Sequence, residues 1–520
     1  MKKDTSHMLE RAQQFQIALI GEGLLIGVIS GLVVLGYRIA LKYAGEWLLS
    51  ILEFVKRSPV TVVGWFLVLL LLAVIVGRLI TWEPMISGSG IPQLEGEMTG
   101  KLEQCWWKIL IAKFIGGFLS LLAGLSLGRE GPSIQLGAMA GKGFSRLTGK
   151  GITEERFLLT CGASAGLSAA FHAPLAGVMF SLEEVHKNFS VSVLLSVMTA
   201  SLAADYLSSN ILGFEPVFQF DLQGELPENL YWTLILLGIL LGVMGAFYNA
   251  VTMKVQAAFQ NSRHLNTTTR LFIPFLMAGV LGFVMPSLLG SGHEVVNSLT
   301  AGKMTLVLVL VTLVGKFIFS VISFGSGAPG GIFFPLLVLG ALIGGSFGIA
   351  GVEFFGMDPS NVNNFVMLAM AGYFTAIVRA PLTGIILIFE MTGSVSQMLS
   401  LSIISIVAYI VANLLKSEPI YESLLGSLLK RRGEELAPES KERILLEIMI
   451  HHDSSLVEKK VRDVTWPESC LLVSIVRGGS EVIPRGNTPF MVGDMLVIMT
   501  SAAYEGQVYD QVKKLCTGLE

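Results

Sequence analysis

Apolar stretches separated by short polar connectors fill the chain as far as residue 415. Apolar runs occupy 17–36, 61–81, 193–213, 230–251, 271–290, 304–323, 332–353 and 395–415. Several reach the ~20 residues that an α-helix needs to cross a bilayer, which predicts a polytopic helical membrane protein. Two further runs, 121–142 and 162–182, are broken by Gly and Pro. Such breaks predict helices that stop inside the membrane, and irregular backbone at that depth usually lines a site.

After Tyr421 the pattern changes. Lys430, Arg431, Arg432, Glu434, Glu435, Pro438, Glu439, Lys441, Glu442 and Arg443 form a charged stretch, read as a linker over 426–443. Residues 444–520 then read as a small soluble α/β domain. It has strand-like runs at Ile444–Ile450, Leu471–Arg477 and Met495–Thr500, a helix-like Tyr504–Leu515, and a hairpin turn at Gly478-Gly479.

The membrane part carries a weak duplication. APLAGVMFSLEEV at 173–185 resembles APLTGIILIFEMT at 380–392, a displacement of 207; GPSIQLGAMAG at 131–141 resembles FPLLVLGALIG at 334–344, a displacement of 203. The near-equal offsets divide the region into halves at about 15–215 and 230–425 and set Glu130 against Phe333. Transporter folds are often built this way, with the site where the repeats meet.

Composition agrees with lipid as the solvent: of 520 residues 52% are hydrophobic, only 14% are charged and 57 are glycine. Small residues let membrane helices approach closely. A formal net charge of −3 gives no argument for nucleic acid. Cys105, Cys161, Cys470 and Cys516 are widely spaced, so neither a disulfide framework nor a zinc site is implied. Lys2, Lys3 and Arg11 precede a long apolar run without a clear cleavage site, so the start reads as retained and cytoplasmic. The basic residues after the last span place the C-terminus on the same side.

Three motifs share one design: Gly88-Ser89-Gly90-Ile91-Pro92, Gly128-Arg129-Glu130-Gly131-Pro132, and Gly330-Gly331-Ile332-Phe333-Phe334-Pro335. Proline suits the first helical turn, and glycine lets a ligand approach the backbone, so each motif predicts a helix N-terminus. Its free amides and positive dipole end are worth about 0.3–1 kcal/mol to an exposed anion and up to ~2 kcal/mol to a partly buried one. Partial charges suit conduction, because an anion held by them can also leave. Ser89 adds a rotatable hydroxyl, or is an ordinary N-cap. Glu130 is an ionisable group within an apolar segment, at a cost of roughly 2.5–3.5 kcal/mol on insertion scales. Its carboxylate can occupy the anion's own place and swing away when protonated; alternatively it is a loop residue paired with Arg129. Glu183 and Glu184 are either a solvated helix end or, for one of them, a proton uptake point. His186 reads as interfacial, and Tyr421 fits an aromatic belt equally well.

The motifs GSGIP, GREGP and GIFFP, in this order, with the APLAG…EE segment and the closing Tyr421, resemble the CLC chloride channels and transporters over about 15–425. The resemblance implies an all-α polytopic fold, an inverted repeat of tilted and broken helices, in a multi-pass protein of the bacterial plasma membrane. It implies a homodimer with one anion path per subunit. Carried over by position, the Ser89 and Tyr421 hydroxyls and the Ile332 and Phe333 amides form the central chloride site. Glu130 is the gating glutamate, beside outer-site amides near Arg129, Gly131 and Phe334. Glu184 matches the internal proton glutamate of the exchangers, which favours chloride/proton antiport over a passive channel. Ser89 matches the chloride-preferring type, and Gln93 departs from a Glu common among relatives. Ser455–Thr500 resembles the C-terminal regulatory module of potassium-conductance proteins, which implies a cyclic di-AMP effector near Val476, Arg477, Ile483 and Pro484, or else a structural domain.

Other classes fit less well. A potassium pathway needs a TVGYG-like filter, and none is present. There is no HExxH or GxSxG, and Gly137 to Lys142 misses P-loop spacing, so enzyme chemistry and a resident cofactor are not expected.

Overall fold

The computed structural model describes residues 2–517 except 188–190, 215, 219, 221–223, 225, 264, 434–442, 453, 468, 479, 502 and 503. The chain divides into two compact units, Met1–Ser427 and Leu428–Glu520. Among the described residues, the first unit opens with α1 (Lys2–Val55), α2 (Pro59–Trp82), α3 (Ile91–Met98), α4 (Trp106–Leu122), α5 (Glu130–Leu147), α6 (Ile152–Phe171), α7 (Pro174–Phe180) and α8 (Val191–Leu212). A second run follows: α9 (Tyr231–Asn261), α10 (Thr269–Val284), α11 (His293–Thr300), α12 (Leu306–Gly325), α13 (Phe333–Phe355), α14 (Val362–Val378), α15 (Pro381–Thr392) and α16 (Met398–Leu414). Then comes α17 (Ile420–Arg431).

The runs match helix for helix. Packing of α1 on α8 and α6 is repeated by α9 on α16 and α14, and α5 on α6 by α13 on α14. Where the halves meet, α2 touches α10 and α7 touches α15, each helix against its own counterpart, as a twofold relation requires. The duplicated sequence is therefore a structural repeat whose halves meet about a twofold axis. Among the described residues, six helices are long and apolar enough to cross a membrane: 17–55, 59–82, 228–261, 306–325, 333–355 and 359–378. The broken runs are real breaks, between α4 and α5 and between α6 and α7. The run 271–290 ends early as a helix because Pro286 opens a 3-10 turn, Pro286–Leu288.

Glycine makes the close approaches. A β-carbon at Gly162 of α6 would lie 2.2 Å from the carbonyl oxygen of Gly137 on α5, and one at Gly344 of α13 would lie 2.2 Å from that of Phe365 on α14. Backbones touch there, as they do in membrane helix pairs.

The second unit holds an antiparallel sheet in the order β1 (Arg443–Met449), β4 (Met495–Ser501), β2 (Cys470–Arg477), β3 (Ser480–Val482). Val508, Val512 and Cys516, one turn apart on α18 (Glu505–Thr517), are buried with Ile448, Ile475, Leu496 and Ile498. Burial pushes the Cys516 thiol up to about 11, consistent with a packing role. Gly478 follows β2 with φ 55°, whereas Gly479 of the expected turn lies outside the described residues, as does 434–442 of the expected linker.

Gly162→Ala is expected to force α5 and α6 apart and to cost about 1–3 kcal/mol, as overpacking does. Thermal unfolding in detergent measures it against Gly21→Ala, where an added β-carbon meets nothing within 4 Å.

Candidate anion site

The three motifs are helix starts, and backbone bonds knot them together. Gly128 N–H donates to Gly331 O at 2.7 Å and Gly331 N–H returns to Gly128 O at 2.8 Å, an antiparallel bridge between equivalent positions of the two halves. Gly330 N–H donates to Gly88 O at 3.0 Å, and the Ser87 hydroxyl to Gly327 O at 2.9 Å. These bonds bring the first turns of α3, α5 and α13 around one buried volume, with amides that have no intrahelical acceptor.

Glu130, the first residue of α5, is fully buried. Its carboxylate lies beside the backbone N–H groups of Glu130 and Phe334 without completing a hydrogen bond, so both oxygens are unpartnered. It forms no ion pair with Arg129, whose guanidinium stacks over Phe171 at 5.8 Å. The paired-loop alternative therefore fails. Glycine leaves room for these groups: a β-carbon at Gly128 would lie 2.0 Å from Glu130 Oε2, one at Gly131 would lie 2.2 Å from Ser89 Oγ, and one at Gly331 would lie 3.0 Å from both Glu130 Oε2 and the Gly131 nitrogen.

Ser89 is not an N-cap. Gly90, with φ 97°, occupies that position, and the Ser89 hydroxyl is buried without a partner. The Tyr421 hydroxyl is likewise buried and orphaned, so Tyr421 is no interfacial belt residue. It lies within reach of the charges of both Glu130 and Glu184. Ile332 caps α13, and the buried Phe333 ring packs on Phe374 at 4.6 Å and Phe171 at 5.6 Å. Buried hydroxyls nearly always find a partner, and the unpartnered Ser89 and Tyr421 hydroxyls, together with the free helix-end amides, make this a candidate anion site.

Glu184 sits on a π-helical segment, Ser181–His186, that continues α7. Such segments are rare and recur at functional sites. Glu184 is 6% exposed and its Oε1 has no partner. Glu183 turns the other way: it accepts from Thr383 N–H at 2.9 Å and from the Thr383 hydroxyl at 2.8 Å, closing the N-terminus of α15. Glu390, its counterpart 207 residues on, accepts from Leu175 N–H at 2.9 Å and Ala176 N–H at 2.7 Å on α7. The solvated-end alternative thus fails for both acids, and only Glu184 is unclaimed. His186 stays apart from the cradle, 3.1 Å from the Thr160 hydroxyl.

Sequence reasoning missed Lys113. Its buried ammonium donates to Ile86 O at 2.9 Å and Gly88 O at 2.6 Å, directly behind Ser89. Lys316, 203 residues on, holds Leu288 O at 3.0 Å and Gly290 O at 2.7 Å in the same manner. The signal was available: Gly290-Ser291-Gly292 repeats Gly88-Ser89-Gly90 at an offset of 202, with matching positive φ angles.

In the second unit, Val476 and Arg477 end β2 and pair with Glu481 and Ser480 of β3, while Ile483 and Pro484 follow that strand. Arg477 is held by the fold, with Nε 2.8 Å and one terminal nitrogen 2.7 Å from the Asp494 carboxylate. That pair raises the guanidinium's affinity for its proton.

Residues 68–413 match the voltage-gated chloride channel family and residues 445–513 match the TrkA-C domain. The H(+)/Cl(-) exchange transporter ClcA of Salmonella gallinarum (strain 287/91 / NCTC 13346) is 30% identical over 459 residues, 85% of this chain and 95% of that protein. The protein of the same name from Klebsiella pneumoniae (strain 342) is 31% identical over 84% of this chain and 95% of its own length. Among solved structures, a slow cyanobacterial Cl-/H+ antiporter superposes with TM-score 0.76 at 30% identity, covering 80% of this chain and 99% of that one. A eukaryotic CLC transporter shares the fold, with TM-score 0.66 at 19% identity over 88% of this chain and 79% of its own. A match running through most of the membrane unit, on a cradle built from all three motifs, means that this chain belongs to the voltage-gated chloride channel, or CLC, family.

Proposed function

We propose that this chain is a secondary active antiporter that moves chloride across the membrane in exchange for protons. The observation that carries the reading is the buried Glu130 carboxylate, unbonded at both oxygens, among the first-turn amides of α5 and α13. A carboxylate there competes with chloride for the same partial positive charge. Protonation removes the charge, and with it the attraction that keeps the side chain in the anion's place.

Chloride then takes the hydroxyls of Ser89 and Tyr421 and the amides of Ile332 and Phe333, with the amides near Arg129, Gly131 and Phe334 forming the outer station. Lys113 lies behind Ser89, and its bonds to the Ile86 and Gly88 carbonyls keep it out of the path. Glu184 supplies protons from the opposite side of Tyr421. No covalent step is involved. Two bacterial relatives named as H(+)/Cl(-) exchange transporters, each matched over 95% of its length, and a cyanobacterial Cl-/H+ antiporter matched over 99% of its own, support the assignment.

The transport domain takes residues 1–425, followed by a linker at 426–443 and the TrkA-C domain at 444–520. Two copies pair as a homodimer in the bacterial plasma membrane with both termini in the cytoplasm. The TrkA-C domain takes a cyclic dinucleotide at Val476, Arg477, Ile483 and Pro484. Because Arg477 already serves Asp494, phosphate contact falls to its remaining terminal nitrogen.

In vesicles loaded with purified protein, an imposed chloride gradient is expected to drive protons uphill. Glu184→Gln is expected to abolish that proton movement while chloride flux stays within about threefold, under 1 kcal/mol in barrier. Glu130→Gln is expected to uncouple as well and to make chloride flux insensitive to pH. Chloride flux without proton movement in the unaltered protein would assign the chain to the passive channels. Calorimetry of the full-length protein with cyclic di-AMP is expected to give a saturable isotherm that Ile483→Glu removes; the absence of heat rejects the effector.

A further inference from the structure

Below the cradle, three carboxylates share one cation. Lys187 Nζ lies 2.6 Å from Glu95 Oε1 on α3 and 2.6 Å from Glu422 Oε1 on α17. Glu184 is close enough to feel Glu95, Lys187 and Glu422, yet its Oε1 has no partner. The lysine closes the π segment that carries Glu184 as its left-handed C-cap, with φ 52°. The bridge also ties the helix that follows Ser89 to the helix that carries Tyr421, the two sources of the orphaned hydroxyls.

Charge explains what the bridge does. Buried carboxylates packed together, as Glu95 and Glu184 are, cannot easily both stay ionised, and the proton goes to the one less stabilised as an anion. Glu95 is 6% exposed in its side chain and has the ammonium as a direct partner; Glu422, at 49%, has the same partner and water as well. The other groups facing the cluster leave this order intact. Glu183, on the π segment, is committed to the amides of α15. His186 is turned to Thr160 and lies near Arg156. Burial works against the charge of Glu95, while its direct bond to Lys187 and, beyond α3, Lys101 favour its ionised form. Tyr421, on α17, brings a neutral hydroxyl.

We propose that Lys187 is a positioning residue for the proton step: by engaging Glu95 and Glu422 it leaves Glu184 as the one carboxylate of the cluster that takes up and releases a proton. The inference rests on the antiport reading for its role in transport, while the distribution of the proton among the three acids is a property of the cluster itself. Changing the lysine is therefore expected to move the proton and not merely to weaken the fold.

Infrared difference spectroscopy of the full-length protein in lipid, titrated with pH, reads the protonated carboxyl stretch directly. The unaltered protein is expected to show one such band from this cluster, absent in Glu184→Gln. In Lys187→Gln a second band is expected, one that the further change Glu95→Gln removes, with protonation beginning about one pH unit higher because a cation has been lost. Lys187→Arg is expected to restore the single band. Glu422→Gln, at a half-exposed position that folding tolerates, frees one donor of Lys187 towards Glu184 and is expected to lower the midpoint by about one pH unit. A single band in Lys187→Gln with an unshifted midpoint, or an unshifted midpoint in Glu422→Gln, overturns the proposal. Proton and chloride flux measured on the same samples separates the two readings: an uncoupled but otherwise unaltered protein contradicts antiport and leaves the band assignment standing.

Discussion

A helix that begins inside an apolar layer exposes several N–H groups with no internal acceptor, in surroundings where water cannot supply one. In this chain α3, α5 and α13 all begin there, and the reciprocal bridge between Gly128 and Gly331 holds two of those starts face to face. The site is the consequence. Amides left over from three first turns require an electronegative partner, and the Glu130 carboxylate lies buried among them. Under the proposed function an anion competes for that place, held by partial charges and neutral hydroxyls and so not trapped.

The repeat builds this cradle, and departures from the repeat give it chemistry. Both halves supply a lysine clasp, at Lys113 and Lys316, a Gly-Ser-Gly turn, and a glutamate that closes the other half's short helix, at Glu183 and Glu390. Yet the position equivalent to Glu130 is Phe333, and the one equivalent to Glu184 is Met391. The proposed proton route therefore has acids at two positions of one half where the other half has apolar groups. Tyr421, on α17 after the second run of eight helices, lies within reach of the charges of both acids.

Much of this was legible in the chain itself. Apolar runs and their Gly/Pro breaks located the helices, and the two matched segments gave the offset that places Glu130 opposite Phe333. The glycine-proline motifs marked the three helix starts because those residue types answer local backbone demands. What was not legible depends on contacts distant in sequence. Whether Ser89 caps a helix or faces the cavity is decided by Gly90 taking the cap. Glu183 and Glu184 are neighbours with the same chemistry, and only the π segment, with the α15 amides on one side and Lys187 on the other, separates a structural acid from a protonatable one. The short β3 escaped notice because three residues carry too little alternation to register, and the Arg477–Asp494 pair required the sheet to bring them together.

The most direct measurement is anomalous diffraction from crystals grown in bromide, compared between the unaltered protein and Glu130→Gln. With Glu130 present, bromide is expected between the Ser89 and Tyr421 hydroxyls and absent from the amides beside Glu130 and Phe334. In Glu130→Gln a further bromide is expected at those amides, in the place of the carboxylate. The same bromide positions in both proteins, or bromide bound away from the three helix starts, would contradict the competition on which the whole account rests.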